Sequence, residues 1–91
     1  SQSKDLSLAH MIAPPGWSEP FQTPSFSEYT YIISGKKQFI INDEIIVLNQ
    51  GESIKIDANT RVQYSNPFDK PCEYLAICSP AFDITNANRE N

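Results

Sequence analysis

The sequence predicts an all-β fold, a sandwich or barrel of short antiparallel strands, and three observations carry that prediction. Seven short apolar or alternating segments recur at intervals of about eight to twelve residues. They are rich in Ile, Val, Tyr and Phe, the residue types that suit a pleated, half-buried surface. Prolines, glycines and Asn/Asp pairs punctuate them, and no stretch keeps a helical period.

Taken in order, Ser7 to Ala13 (SLAHMIA) opens as a strand and stops at Pro14-Pro15-Gly16, which cannot continue a ladder. Trp17 to Ser27 carries Pro20 and Pro24 and reads as an extended, irregular connection. Glu28 to Ser34 (EYTYIIS) is aromatic and β-branched, hence a strand. Gly35-Lys36 turns the chain into Lys37 to Ile41, and Asn42-Asp43 turns it again into Glu44 to Leu48. Asn49-Gln50-Gly51 leads into Ser53 to Asp57, and Ala58-Asn59 breaks that run before Arg61 to Ser65. Asn66 to Pro71 is a loop, and Cys72 to Ser79 (CEYLAICS) is the last strand, ended by Pro80. The polar stretch 83–91 is either frayed or docked on a partner chain. The 91 residues are expected to make one domain, with its core over about residues 7–82.

Composition narrows the function classes. Net charge is −4, and the seven basic residues are scattered. Lys36-Lys37, the one adjacent pair, sits beside a glycine and reads as a solvated hairpin tip, so nucleic acid is not an expected partner. The aliphatic run Ile45 to Leu48 is far too short to cross a bilayer, and no basic region followed by a long apolar one opens the chain. Ser1 is not an initiator residue, so the chain is expected to be processed or trimmed. Cys72 and Cys78 bracket one strand and would lie about 20 Å apart, whereas a disulfide needs Cα atoms within about 7 Å. With one histidine and no CxxC, neither zinc nor a redox pair is indicated, and a reducing, cytoplasmic setting is expected.

Two spacings are more specific. Glu28 is followed by six residues and Gly35, and Gly51 is followed fifteen positions on by Asn66. With the strand-turn-strand pattern between them, these resemble the two sequence motifs of the cupins over roughly residues 7–82. The resemblance implies a cupin-type antiparallel β-barrel (a double-stranded β-helix or jelly roll) and a homodimer, commonly built by pairing N-terminal strands. It also implies a metal on three histidines and a glutamate. Those positions read Gln22, Pro24, Val62 and Glu28, and neither valine nor proline ligates through its side chain. No metal or other cofactor is therefore expected. Ser79-Pro80-Ala81 adds a weaker similarity to cupins of the ethanolamine-utilisation type, in which the metal histidines are also lost.

Strand parity selects the candidate site. If Glu28 faces inward, so do Thr30 and Ile32, and Val62 and Tyr64 share an interior face by the same rule. A carboxylate there needs partners, and Gln22, Thr30 and Tyr64 can donate to it; otherwise Glu28 is a solvated rim residue and Tyr64 ordinary core. Trp17, Phe21 and Phe26 form either a lid or an apolar plug. His10 either joins Glu28 or Glu19 or lies on the surface, Arg61 is read as a surface residue, and Asp57 as a turn cap. Three functions stay open. The first is metal-independent binding of a small polar molecule by Trp17, Gln22, Glu28, Thr30 and Tyr64, without catalysis. The second is an enzyme, either an isomerase or lyase using Glu28 with Tyr64 or a metalloenzyme whose ligands include His10. The third is a structural module with a filled interior.

Overall fold

Side-chain alternation, with one face of each strand turned to a shared interior, organises this chain. The structure is a computed structural model that describes residues 5–91. Its strands are β1 (Ser7–Ala13), β2 (Ser27–Ser34), β3 (Lys37–Ile41), β4 (Glu44–Leu48), β5 (Ser53–Ile56), β6 (Val62–Ser65) and β7 (Cys72–Ser79). They form a four-stranded sheet in the order β1-β7-β2-β5 and a three-stranded sheet in the order β4-β3-β6, every pairing antiparallel. The two ladders stay separate, so the architecture is a double-stranded β-helix whose sheets are not closed into a continuous barrel.

The inner faces meet in a core of Ile32, Phe39, Val62, Tyr64, Cys72 and Tyr74, with Ala13, Leu48 and Ile56 around them. Phe39 on β3 and Tyr64 on β6 meet edge to face with ring centroids 5.7 Å apart. Such a pair adds about 1 kcal/mol beyond its area burial. Phe26, Cys78 and Ala87 form a second, smaller cluster. The outward residues of β1 alternate with these: Leu8 and Ile12 are 65% and 64% exposed on an edge strand.

Connections are held by buried polar groups. Asn66 is fully buried; its amide donates to Ala13 O and Lys70 O, and its Oδ1 accepts from Phe68 N–H. Its backbone N–H donates to Trp17 O, so one asparagine ties the loop after β6 to the end of β1 and to the following connection. The connection is not wholly irregular, since Ser18 bridges Ser65 and Gln22 bridges Val62, extending the smaller sheet past β6.

Residues 83–91 pack on the body of their own chain. Asp83 caps a single helical turn, α1 (Ile84–Ala87), by accepting from Thr85 N–H. Ala87 is buried, Arg89 bridges Gln22 along the backbone, and Glu90 N–H donates to Phe21 O. One turn is too short to leave a helical period in the sequence. Arg61 lies on the surface, where its guanidinium stacks 3.8 Å from the Phe21 ring centroid and grips Glu90 at 2.7 and 2.9 Å. Among the described residues the Asp57 carboxylate makes no capping hydrogen bond and faces Lys55 at 3.4 Å.

A β-bulge between Ile32 and Ser34 lets β2 turn into Gly35, whose φ is +80°. A Cβ at Gly35 would strike the backbone of Pro71 and Cys72, whereas Gly51, with φ +84°, faces open space. Gly35→Ala is therefore expected to cost at least about 3 kcal/mol, combining left-handed strain with a backbone collision. Gly51→Ala should cost about 1 kcal/mol from strain alone. Denaturant midpoints of the two variants check this, and equal losses would contradict it.

Candidate functional site

Three β2 residues point into the space between the sheets, as parity requires. Glu28, Thr30 and Ile32 are buried while Tyr29 and Tyr31 are exposed. Opposite them stand Val62 and Tyr64 of β6, both buried. Beside them β7 turns Tyr74, Ala76 and Cys78 inward, and β1 adds Ser7, Ala9 and Met11. The enclosed space is a cavity of about 250 Å³, open on one side. Its apolar walls include Trp17, Phe26, Tyr64, Tyr74 and Phe82.

Glu28 is a buried carboxylate with its own donors. Thr30 Oγ1–H donates to Oε2 at 2.7 Å, and Tyr64 O–H donates to Oε1 at 3.3 Å. The Cys78 thiol lies 3.9 Å from Oε1. Burial, reinforced by the Glu28 charge, pushes the Tyr64 hydroxyl well above the usual phenol range, so it stays a donor. The same two causes push the Cys78 thiol up to about 12. Thr30 is buried and does not line the cavity, and its hydroxyl donates to Glu28, so it positions the carboxylate. Gln22 departs from the sequence reading, because its amide donates to Glu19 Oε1 at 3.2 Å, and Glu28 takes its donors from Thr30 and Tyr64.

Lys37 corrects the sequence reading most. It is no hairpin tip: as the first residue of β3 it shares the inward face with Phe39 and is only 2% exposed. Its Nζ lies 3.5 Å from the Tyr74 ring centroid, 4.8 Å from Tyr64, 5.2 Å from Phe39 and 5.9 Å from Trp17. Four ring faces around one ammonium form an aromatic cage. Burial lowers its pKa from the usual 10.5 to about 8, against the opposing pull of Glu28 first and then of Cys72, Glu19 and Cys78. Only Lys36 stays at the turn, exposed, with Nζ 5.5 Å from the Phe68 ring centroid.

Glu19 and Arg89 complete the polar lining. The Arg89 guanidinium donates to Glu19 Oε2 at 3.0 Å, and the other carboxylate oxygen accepts from Gln22. Sequence reasoning passed over this pair, since residue 19 lies in a segment without periodicity and residue 89 in the polar tail. His10 is turned away from the cavity and meets Glu73 Oε2 at 2.6 Å on the exposed face.

The positions the resemblance assigns to a metal do not make a donor set. Gln22 and Val62 are bridged neighbours, Gln22 is engaged with Glu19, Val62 and Pro24 are buried, and Glu28 is held by Thr30 and Tyr64. Among the described residues no three His, Cys, Asp or Glu side chains converge. These residues do not fit a metal bound through three histidines and a glutamate.

Comparison with known proteins agrees with this fold. The family model described as "Cupin domain" matches residues 9–78. A 90-residue match, 37% identical, covers 99% of this chain and 31% of a Myxococcus xanthus protein named Endoribonuclease YbeY, so the chain spans about a third of that relative. A variant of oxalate decarboxylase from Bacillus subtilis has TM-score 0.84 at 18% identity, covering 96% of this chain and 24% of that one. The EutQ protein of Clostridium difficile has TM-score 0.75 at 20% identity, covering 96% and 64%. At these identities the solved structures show a common fold.

The Lys37 environment dictates a pH dependence of stability. Its folded pKa of about 8 lies below the ordinary 10.5, so between those values the unfolded chain holds a proton that the native chain lacks. Stability then rises with pH across that window, and the full cost of burying the cation is borne below pH 8. The thiols of Cys72 and Cys78, raised by burial, work in the opposite sense, and Lys37→Met retains them. The unfolding free energy of the wild type minus that of Lys37→Met should rise by about 2–3 kcal/mol from pH 7 to pH 10. A flat difference in urea titrations at the two pH values would contradict the assignment.

Proposed function

The chain belongs to the cupin domain family, and on that premise we propose that it is a small-molecule-binding cupin that works without a metal and without catalysis of its own. The carrying observation is a cavity of about 250 Å³ that keeps a buried carboxylate and a buried amine among aromatic walls. A filled interior would leave no such space, and a purely structural interior has no use for two desolvated ionisable groups. The occupant is a compact molecule with an apolar body and a polar end. Trp17, Tyr64 and Tyr74 contact the body, while Glu28, set by Thr30, and Gln22, set by Glu19, orient the polar end.

The Myxococcus relative is named for ribonuclease activity, and the present chain corresponds to under a third of it. We take the cupin unit to be an accessory, ligand-responsive part of such a protein. A net charge of −4 and a cavity whose Arg89 is engaged by Glu19 support that reading over phosphodiester binding.

Trp17 is the single tryptophan and lines the cavity, so its fluorescence reports occupancy. Benzyl alcohol, a neutral probe of suitable size, should change that fluorescence saturably. Ala76→Phe, which places a ring in the cavity, should abolish the change while preserving the β-type circular dichroism. A linear, non-saturating response in the wild type, or an undiminished one in Ala76→Phe, would refute the proposal, as would RNA cleavage by this chain alone.

A further inference from the structure

Lys37 is a primary amine in an unusual position for its type. Lysine is almost never fully buried without a paired charge, yet this side chain is 2% exposed and makes no salt bridge among the described residues. Four aromatic rings surround its Nζ within 6 Å, and it lines an open cavity. The remaining charged groups of that cavity are Glu28, held by Thr30 and Tyr64, and the Glu19–Arg89 pair. An anionic ligand approaching Lys37 would be repelled by the two carboxylates that line the cavity, whereas a neutral electrophile would not.

We propose that Lys37 is a carbonyl-capture site, condensing reversibly with a small aldehyde or ketone that enters the cavity. This rests on the small-molecule reading above and names the chemical class of its ligand. The neutral amine's lone pair adds to the carbonyl carbon, and a proton passes from nitrogen to the former carbonyl oxygen to give a carbinolamine. Loss of that hydroxyl with one more proton, as water, leaves the C=N bond, and nothing is oxidised or reduced. Tyr64 O–H and the Glu28 carboxylate it serves, which reach each other from opposite sheets and both line the cavity, are the acid and base. Apolar surroundings favour the step twice, by keeping bulk water from the imine and by favouring the unprotonated amine. With a pKa of about 8, roughly one Lys37 in ten is neutral at pH 7, against about one in three thousand for an ordinary lysine.

The test is reductive trapping of the wild-type protein with limiting benzaldehyde and sodium cyanoborohydride at pH 7, followed by peptide mass mapping. The chain's α-amino group, reactive at this pH in any protein, is the internal standard. The N-benzyl group is expected on Lys37 at least about tenfold ahead of exposed Lys36 and Lys55, and excess benzyl alcohol should suppress it there alone. Labelling of Lys36 and Lys55 with Lys37 spared would overturn the inference. If benzyl alcohol still changes Trp17 fluorescence in that case, only the capture chemistry fails; if it does not, the binding cavity fails with it.

Discussion

The structure turns on one constraint, the placing of a lysine ammonium inside an apolar β-sandwich. Lys37 enters the interior because β3 is held between β4 and β6 in a register that also buries Phe39. A one-residue slip would expose Phe39 and bury Gln38 in its place. Leaving an amine in hydrocarbon costs several kcal/mol unless something offsets it. Here the offset comes from the faces of Trp17, Phe39, Tyr64 and Tyr74 and from the field of Glu28 across the cavity. The aromatic residues thus both pack the core and solvate a cation.

Glu28 and Lys37 also explain why the space between the sheets is lined rather than filled. Thr30 and Tyr64 hold the carboxylate to the wall, which leaves room in front of it. Gln22, beside Val62, belongs to the neighbouring Glu19–Arg89 group, which ties the connection before β2 to the chain end. Where the motif resemblance implies three histidines and a glutamate, this chain carries Gln22, Pro24, Val62 and a hydrogen-bonded Glu28. The alternating strands, rather than a central group, form the core.

The strands were legible almost to the residue, because period-two alternation and Pro, Gly and Asn-Asp punctuation act locally. Parity also identified the inward faces of Glu28, Thr30, Val62 and Tyr64. The same rule, applied backward from Phe39, places Lys37 inside; the competing habit of reading a Lys-Lys pair beside glycine as a solvated turn obscured it. Glu19 and Arg89 had no local signal, since they meet across 70 residues of sequence through a bridge between two irregular segments. The expected approach of Gln22 to Glu28 failed for the same reason: its partner is set by tertiary placement of the connection, not by strand alternation.

The central claim is that Lys37 is a buried amine with depressed basicity facing a cavity. Nuclear magnetic resonance titration of protein carrying 13Cε-labelled lysine measures this directly. One lysine signal, removed by Lys37→Met, should titrate near pH 8, well below the ordinary lysine value near 10.4. A Lys37 signal that titrates at the ordinary value would contradict it.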